Sequence, residues 1–434
     1  MKRTNQTYTI TVTSTLKNKL VQWASQYDEV TWLDSNNYGQ EHSVFDAILA
    51  VDALTSIQKP DTDNGFEALK EYQLTTKDWI FGYLSYDLKN DTESLQSNNS
   101  DGLDFAALSF FQPKKIIFVK GNQLEFSYLG MVDDEIEDDF KNIVSTDLFE
   151  DVYTPSFTIN DKISKNEYLD KVAKMQSYIH RGDIYEANMC MEFYGEQATI
   201  DPVLMYHRLN AISIPPFATF LKHHKLYLLS ASPERYIQRI GDQVISQPIK
   251  GTAKRAVDEN DDKDLATMLS VDEKERAENI MIVDLVRNDL SHYAKKGSVK
   301  VTELCKVYTF KQVHQLISTV AATVEDHIHS VDLIKSTFPM GSMTGAPKIS
   351  AMKIIEELEE TKRGLYSGAV GYFDPNGNFD FNVVIRSILY NEEKQYVSFS
   401  VGSAITSLSD PEKEYEECLL KANAMKNVLL EIND

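Results

Sequence analysis

The sequence predicts a mixed α/β fold, and three observations support that class. Thr7 to Thr13 alternates threonine with apolar or aromatic residues, the period-two pattern of a strand, and Leu16 to Ser25 then has the pattern of a short helix. Further along, Ser164 to Arg181 has helical spacing, begins with a capping-box pattern at Ser164 to Glu167 and stops at Gly182. A strand pattern follows from Tyr185 to Phe193. Apolar residues make up 42% of the 434-residue chain, which is enough for a sizeable core.

Composition excludes several classes of function. Acidic residues outnumber basic ones 66 to 44, giving a net charge of -22, which argues against nucleic-acid binding. The three cysteines are far apart and predict neither disulfides nor a zinc site. The polar start at Met1 to Gln6 and the absence of a long apolar run predict a cytoplasmic protein without a membrane partner.

The first third of the chain gives few functional signals. Phe81 to Asp87 reads as a strand whose glycine and tyrosines either pack in the core or form the floor of a pocket. Asn90 to Gly102 is polar and predicts an exposed, mobile loop. The pattern becomes more regular after Thr154-Pro155-Ser156, so we expect two regions, residues 1–155 and 156–434.

The segment from Gln247 to Thr252 contains the candidate nucleophile, Lys250. Predicted strands at Tyr227 to Ser230 and Gln243 to Ile249 flank a turn at Ser232-Pro233-Glu234, and a hairpin of this length can bring Glu234 beside Lys250. A lysine that ends a buried strand and precedes glycine is open to desolvation, which would lower its pKa. The alternative is a solvated lysine that enters a turn.

Two helices carry paired carboxylates that suit a magnesium site. Glu275 and Glu278 lie three residues apart in the predicted helix Glu273 to Asn288, and Glu414 and Glu417 repeat that spacing after Asp410-Pro411. Two such faces can supply an oxygen-only Mg²⁺ site with positions left for a substrate carboxylate and water. Ordinary solvated helix faces are the competing interpretation, because the protein is so acidic.

A glycine-rich loop from Phe338 to Lys348 leads into a predicted helix from Ile349 to Glu360. Free backbone amides at a helix start can bind an anion, with help from Lys348. The glycine spacing is not that of a phosphate-binding P-loop, and a purely structural turn remains the alternative.

A loop from Arg363 runs into a strand that reaches Tyr372, and a hairpin turn at Asp374 to Asn378 follows. The returning strand is predicted from Asp380 to Tyr390 and carries Arg386 among apolar residues. A buried arginine needs an anionic partner, so we interpret Arg386 as a clamp for a carboxylate.

Taken together, these segments resemble the chorismate-utilising enzymes, which include anthranilate synthases, aminodeoxychorismate synthases and isochorismate or salicylate synthases. The resemblance runs from about Ser164 to Asn427. It rests on blocks in the same order: Gly182-Asp183-Ile184-Tyr185, Ser232-Pro233-Glu234, Pro248 to Thr252, Glu278 with Val283 to Asp289, Gly345 to Lys348, and Arg363 to Gly368. It implies large antiparallel sheets that form a sandwich surrounded by helices, with residues 1–155 as the N-terminal region of the anthranilate synthases.

Two positions within these blocks distinguish the branches of the family. The resemblance implies that a lysine at position 250 is typical of aminodeoxychorismate synthases, whereas anthranilate synthases carry alanine there. Water-adding members have a lysine base where Glu186 aligns, so hydroxylation of the ring is not expected. The implied activity converts chorismate and ammonia into 4-amino-4-deoxychorismate, in the synthesis of para-aminobenzoate and folate.

The resemblance also implies a role for each candidate residue. Glu234 would protonate the departing hydroxyl at ring carbon 4, and Lys250 would attack carbon 2. Mg²⁺ would be held mainly by Glu278 and Glu417, with Glu275 and Glu414 contributing directly or through water. The remaining positions are expected to bind the substrate: Thr252, Lys348, Tyr366, Arg386, Gly402 and Lys421. A glutaminase subunit would supply ammonia, because no Cys-His-Glu glutaminase pattern occurs in this chain.

Two departures from the family pattern are visible. The family's usual histidine aligns with Gln315, one position beyond His314, and Ala404 replaces a second glycine in the predicted loop Val401 to Ile405. The Leu-Leu-Glu-Ser stretch typical of tryptophan-inhibited anthranilate synthases is absent, so tryptophan inhibition is not predicted. The alternatives are an anthranilate synthase and a non-catalytic chorismate-binding subunit.

Overall fold

A computed structural model describes residues 2–38, 45–148, 154–311 and 313–431. The strands in these ranges are β1 (Arg3–Thr9), β2 (Glu29–Asp34), β3 (Ala47–Lys59), β4 (Ile80–Leu84), β5 (Leu108–Lys120), β6 (Gln123–Leu129), β7 (Asn160–Asp161), β8 (Glu186–Gly195), β9 (Phe217–His223), β10 (Leu226–Ser232), β11 (Arg235–Ile240), β12 (Gln243–Gln247), β13 (Ile249–Lys254), β14 (Lys300–Thr309), β15 (Val313–Thr323), β16 (Gly345–Ala346), β17 (Ala369–Phe373), β18 (Phe379–Val383), β19 (Ser387–Asn391) and β20 (Tyr396–Ile405).

The helices in the same ranges are α1 (Ser14–Ala24), α2 (Gly65–Thr76), α3 (Lys89–Thr92), α4 (Ile136–Ser145), α5 (Lys165–Arg181), α6 (Pro202–Ser213), α7 (Glu259–Val271), α8 (Glu273–Ser291), α9 (Ser330–Thr337), α10 (Lys348–Leu358) and α11 (Pro411–Leu430). Among these helices, none combines the length and the apolar character that crossing a bilayer requires.

The strands pair antiparallel in two large arms that share β5. One arm has the order β1, β6, β5, β3, β2, β9, β10, β19, β20 and β8. The other has the order β5, β4, β17, β18, β11, β12 and β15, with β14 beyond. This arrangement confirms the predicted mixed fold built on antiparallel sheets.

Two apolar cores hold the sheets and helices together. One lies between the two arms of the sheet, and the other lies between the first arm and the helices. One core joins buried residues of both arms, such as Leu228 and Leu389 with Ile237 and Phe381. The other covers the first arm with helices α1, α5, α6, α10 and α11. A sheet that is apolar on both faces has to be covered on both sides, and the structure does this with the second arm and with helices.

Strands from both sides of residue 155 occur in both arms. β2 pairs with β9 along Glu29 to Asp34, and β4 pairs with β17 along Ile80 to Leu84. The division into residues 1–155 and 156–434 therefore stays a prediction about regions of sequence.

Several predicted elements are present, and some have different limits. α5 begins with the predicted capping box of Ser164 and Glu167 and ends at Gly182, whose φ is 86°. The predicted strand Gln243 to Ile249 is interrupted at Pro248, because proline lacks the N–H that the ladder needs. The predicted loop Val401 to Ile405 was wrong, since these residues form the end of β20 and pair with β8. β11 was not predicted.

The polar segment Asn90 to Gly102 differs from the predicted free loop. It begins within α3, and the backbone N–H of Asn98 donates to Glu356 Oε1 at 2.7 Å. The Asn99 side chain donates to the carbonyl oxygens of Glu356 and Glu359 at 3.1 and 2.9 Å. These bonds satisfy carbonyl groups at the end of α10, which a helix leaves without partners of its own.

Candidate active site

Glu234 lies at the start of the β11–β12 hairpin and is only 4% exposed. The register pairs Arg235 with Gln247, which brings Glu234 next to the segment that carries Lys250, as the sequence predicted. The Ser342 hydroxyl donates to Glu234 Oε1 at 2.6 Å. Burial raises the pKa of Glu234 to about 7, although this hydrogen bond and the charge of Lys250 act in the opposite direction. The carboxyl group can therefore hold a proton near neutral pH.

Lys250 is buried in β13 and forms an ion pair with a carboxylate of β8. Its Nζ lies 3.2 Å from Glu186 Oε1, and the two side chains are 11% and 2% exposed. This burial excludes the solvated lysine that the sequence left open. Burial by itself lowers the pKa of Lys250, but the charges of Glu186, Glu278 and Glu234 outweigh it, and the pKa lies above its ordinary value. The expected lowering of this pKa was therefore wrong.

One carboxylate pair lies on α8 and the other on α11, and Lys274 connects the two helices. Lys274 Nζ lies 3.8 Å from Glu278 Oε1 and 3.7 Å from Glu414 Oε1, so it bridges the two helices. Burial raises the pKa of Glu278 to about 7, against the charge of Lys250. Burial also raises the pKa of Glu275, and the charge of Glu417 adds to that rise. All four carboxylates act electrostatically on Lys274, which supplies the positive charge among them.

The buried carboxylate of Glu278 also leaves an oxygen available to bind a cation. Glu278 Oε1 is buried and makes no hydrogen bond within the described residues. Glu414 is 3% exposed, whereas the Glu417 side chain is 46% exposed and lies at the open side of the cluster. Oxygen donors alone, several of them carboxylates, are the ligand set that suits Mg²⁺.

Gly251 allows the segment with Lys250 to approach α8. Its φ is 90°, and a Cβ atom at this position would lie 3.0 Å from Leu316 Cδ1 and 3.1 Å from Glu275 Oε2. The pairing of β13 with β15 is also irregular between Ile249 and Thr252. A left-handed glycine at this irregularity therefore sets the distance between the candidate nucleophile and the carboxylate helix.

We expect Gly251→Ala to reduce the free energy of unfolding by about 1–2 kcal/mol for the left-handed backbone, with a further loss from the contact with Glu275. Gly241→Ala is the matched control, because Gly241 has a φ of 62° and open space where the Cβ would be. Urea denaturation of both variants measures the difference. Equal losses in the two variants would contradict a packing role for Gly251.

Arg386 lies at a break between two strands. The predicted strand Asp380 to Tyr390 is divided into β18 and β19, and Arg386 between them has a φ of 51°. Its guanidinium has no hydrogen bond or ion pair within the described residues. Burial lowers its pKa, against the charge of Glu417 and the influence of Tyr366. A partly buried arginine whose guanidinium is unpaired among the described residues is available to bind an anionic ligand.

Two of the other predicted substrate-binding residues, Lys421 and Gly402, are connected to Glu417 of the carboxylate cluster. Lys421 Nζ donates to the Gly402 carbonyl oxygen at 2.8 Å and lies 2.6 Å from Glu417 Oε1. A Cβ on Gly402 would lie 2.6 Å from Asn188 Oδ1, so a larger residue there would displace the Asn188 side chain. Tyr366 is 4% exposed, and Thr252 pairs with Gln315 across β13 and β15. Their roles toward a substrate stay predictions.

The glycine-rich loop has structural contacts of its own. Lys348 Nζ donates to Asp289 Oδ2 at 2.6 Å and to the Thr337 carbonyl oxygen at 3.1 Å. Gly345 pairs with Ala187 of β8, where a Cβ would lie 2.1 Å from the Glu186 carbonyl oxygen. These contacts explain why the loop needs glycine and place Ser342 beside Glu234. Anion binding by Lys348 stays a prediction.

The departure at Gln315 changes the local contacts. Gln315 is 3% exposed, and its Oε1 has no hydrogen-bond partner within the described residues. His314 lies next to it in β15, and its Nε2 is 3.0 Å from Asp262 Oδ1. Successive strand residues point to opposite faces, so His314 cannot take the position of Gln315.

Sequence reasoning missed several residues that position this site. Glu186 was considered only as a missing base, although an acidic residue inside an apolar strand signals a buried partner. Arg363 was interpreted as part of a loop, yet it forms a buried ion pair with Glu359 at 2.6 Å. It also donates to the carbonyl oxygens of Met343 and Asn188 at 2.6 and 2.8 Å, which fixes the loop beside Ser342.

Comparison with known proteins relates this site to a family. A sequence model described as chorismate binding enzyme matches residues 26–427. The aminodeoxychorismate synthase component 1 of Salmonella typhimurium is 40% identical over 267 residues, covering 62% of this chain and 58% of that protein. The chloroplastic aminodeoxychorismate synthase of Arabidopsis thaliana is 36% identical over 308 residues, covering 70% of this chain and 33% of that protein. The chain thus spans less than two thirds of either relative.

A solved structure gives the same relationship. The crystal structure of anthranilate synthase component I from Streptococcus pneumoniae superposes with a TM-score of 0.76 at 25% identity, covering 90% of this chain and 95% of that one.

Proposed function

This chain belongs to the chorismate binding enzyme family, and from that membership we propose that it is an aminodeoxychorismate synthase component I. In this proposal it converts chorismate and ammonia into 4-amino-4-deoxychorismate, a step toward para-aminobenzoate and folate. The names of the Salmonella and Arabidopsis relatives agree with this reaction.

The observation that carries the proposal is a buried lysine beside a protonatable carboxyl group. Lys250 is paired with Glu186 at 3.2 Å, and the pKa of Glu234, raised mainly by burial, is about 7. Mere binding of a ligand does not require a nucleophile and an acid together, both buried. A catalytic role is therefore favoured over a non-catalytic chorismate-binding subunit.

In the proposed reaction, Lys250 first transfers a proton to a neighbouring carboxylate, for which Glu186 is in direct contact. The neutral amine then attacks carbon 2 of the ring, both conjugated ring double bonds shift by one position, and the bond between carbon 4 and its hydroxyl oxygen breaks. Glu234 donates the proton that lets this oxygen leave as water. Ammonia then attacks carbon 4, both double bonds shift back, and Lys250 leaves with its electron pair and regains a proton.

We further propose that Glu278 and Glu417 hold Mg²⁺, with Glu275 and Glu414 contributing directly or through water. Glu278 Oε1 is buried and has no hydrogen bond within the described residues, and this oxygen together with the oxygen-only donor set fits the ion. When bound, Mg²⁺ would supply positive charge that orients a substrate carboxylate and eases departure of the hydroxyl. Lys274, which lies between Glu278 and Glu414, would then have to move away.

Substrate carboxylates are assigned to the cationic and small residues around the cluster. Arg386 is the first of these, because its guanidinium has no partner within the described residues. Lys421, Tyr366, Gly402, Thr252 and Lys348 complete the proposed set. Ammonia is proposed to come from a glutaminase subunit, in keeping with the name component 1 of the Salmonella relative.

The similarity to an anthranilate synthase structure supports a second candidate reaction. That reaction would place the amino group at carbon 2 and release pyruvate. In our interpretation the presence of Lys250 argues against this reaction, because the lysine would occupy the position at carbon 2 that ammonia has to reach.

Product analysis distinguishes these functions. Purified protein is incubated with chorismate, Mg²⁺ and ammonium, and the products are identified by mass spectrometry. We expect 4-amino-4-deoxychorismate, which retains the enolpyruvyl group. Anthranilate together with pyruvate would contradict the proposal in favour of the second reaction, and chorismate bound but unchanged would contradict both.

We expect Arg386→Met to raise the KM for chorismate about 10-fold to 100-fold, because a charge-assisted hydrogen bond contributes roughly 1.5–3 kcal/mol. The turnover number should change less, since Arg386 does not touch the reacting carbons in this proposal. Arg287→Met is the control, because Arg287 is a surface residue paired with Asp284 on α8. Steady-state kinetics measure both parameters. An unchanged KM would show that Arg386 does not bind the substrate.

A further inference from the structure

A histidine pair lies at the turn between β9 and β10, remote from the carboxylate cluster. The two strands pair from His223 opposite Leu226, which leaves His224 in the turn with a φ of 52°. On the other side, His223 is directly opposite Glu29 of β2, and the His224 N–H donates to the Asp28 carbonyl oxygen at 2.8 Å. Backbone pairing therefore fixes two imidazoles and one carboxylate at the same place.

The side chains converge as metal ligands do. One ring nitrogen of each histidine and one oxygen of Glu29 all lie within 4.8 Å of one another. His224 Nε2 is 3.4 Å from Glu29 Oε1, close to the roughly 3.4 Å between two ligands that each lie about 2.1 Å from a tetrahedral zinc ion. The His224 side chain is 60% exposed, which leaves it room to adjust its ring toward the other two ligands.

His223 gives an independent reason to expect a ligand here. It is only 7% exposed, and its Nε2 has no hydrogen-bond partner within the described residues. Buried polar atoms in folded proteins are almost always paired, so one without a partner requires an explanation. A metal ion between His223, His224 and Glu29 would satisfy this nitrogen.

We propose that Glu29, His223 and His224 form a binding site for a zinc-class divalent cation, with the remaining coordination position taken by water. Two imidazoles and one carboxylate are typical ligands of zinc, whereas magnesium prefers oxygen donors alone. The site is separate from the carboxylate cluster that we assign to Mg²⁺.

The charges around the site are compatible with a bound cation. Asp28 and Asp52 act on Glu29 as neighbouring negative charges. The two nearby lysines are engaged elsewhere: Lys222 Nζ donates to the Ser25 carbonyl oxygen at 2.8 Å, and Lys225 Nζ lies 3.0 Å from Glu392 Oε1. Neither ammonium group is bonded to the three proposed ligands.

The position of the site indicates a structural role. β10 runs seven residues from this turn to Ser232, just before Glu234, so a strand about 20 Å long lies between the site and the candidate general acid. A bound ion would connect β2, from the first third of the chain, to the β9–β10 turn. It is therefore expected to stabilise the fold and to leave turnover unchanged.

Zn²⁺ binding to the full chain tests this inference, with Mg²⁺ present at saturating concentration and a chromogenic zinc chelator as competitor. We expect wild type to bind Zn²⁺ with a thermal midpoint that rises on addition of the ion. His224→Ala, on an exposed turn, should weaken binding more than about 100-fold, since even partners outside the ligand shell contribute 10-fold to 100-fold. Glu29→Gln should weaken it in the same direction.

His180→Ala is the matched control, because His180 is exposed at the end of α5 and lies outside the proposed ligand set. It should bind Zn²⁺ as wild type does. The proposal is overturned if His224→Ala and Glu29→Gln retain the affinity of wild type, or if wild type shows no saturable Zn²⁺ binding. Thermal midpoints measured without zinc show whether each variant is folded.

Discussion

Replacing Lys250 with alanine is expected to lower the rate of 4-amino-4-deoxychorismate formation by at least about 10⁴-fold, because removal of a covalent nucleophile eliminates the two-step route. The substitution also leaves Glu186 buried without its ion-pair partner at 3.2 Å, so folding is checked by the thermal midpoint. Steady-state assays with chorismate, Mg²⁺ and ammonium measure the loss.

Intact-protein mass spectrometry gives a second readout for the same residue. With chorismate and Mg²⁺ but no ammonium, wild type should gain the mass of chorismate less water, because the amine bond replaces the bond to the leaving hydroxyl. Lys250→Ala should gain none. Lys254→Ala is the control on the same strand, since Lys254 is exposed, and it should behave as wild type. Unchanged product formation by Lys250→Ala would exclude the covalent role.

Replacing Glu234 with glutamine is expected to reduce turnover by about 10²-fold to 10⁴-fold, which is the usual contribution of a positioned general acid. Glutamine keeps the shape of the side chain and can still accept the hydrogen bond from Ser342, which is 2.6 Å long in the wild type. The variant should therefore fold normally and bind chorismate with little change in KM.

The pH dependence of turnover distinguishes a general acid at Glu234 from a residue with only a structural role. Glu234 has to be protonated to donate, and burial raises its pKa to about 7. Turnover at a constant concentration of free ammonia should thus fall as pH rises above about 7, approaching tenfold per pH unit. In Glu234→Gln this alkaline decline should disappear. A decline of equal size in both proteins would assign the titration to another group.

The fold and the candidate site differ in how much the sequence revealed. Periodicity and caps located α5, with its capping box at Ser164 and its stop at Gly182, because these signals depend on residues a few positions apart. The break at Arg386 was not predicted, because the strand pattern around it is apolar on both sides. A left-handed φ at a non-glycine residue comes from the tertiary fold, which the local pattern does not encode.

The electrostatic state of Lys250 shows the same limit. Its burial was considered from the neighbouring glycine, and the expected consequence was a lowered pKa. The opposite direction follows from Glu186, Glu278 and Glu234, which come from three distant segments. Charge interactions between such segments depend on distances that only the folded chain defines.

The sequence by itself determined the mixed fold, the carboxylate spacing on α8 and α11, and the hairpin that places Glu234 near Lys250. These features are local, since they depend on period, turn length and residue type. Only the tertiary structure decided that Glu186 pairs with Lys250, that Lys274 bridges the two carboxylate helices, and that Arg386 lacks a partner within the described residues. Those contacts join segments far apart in the chain, where burial and proximity arise only when the sheets pack.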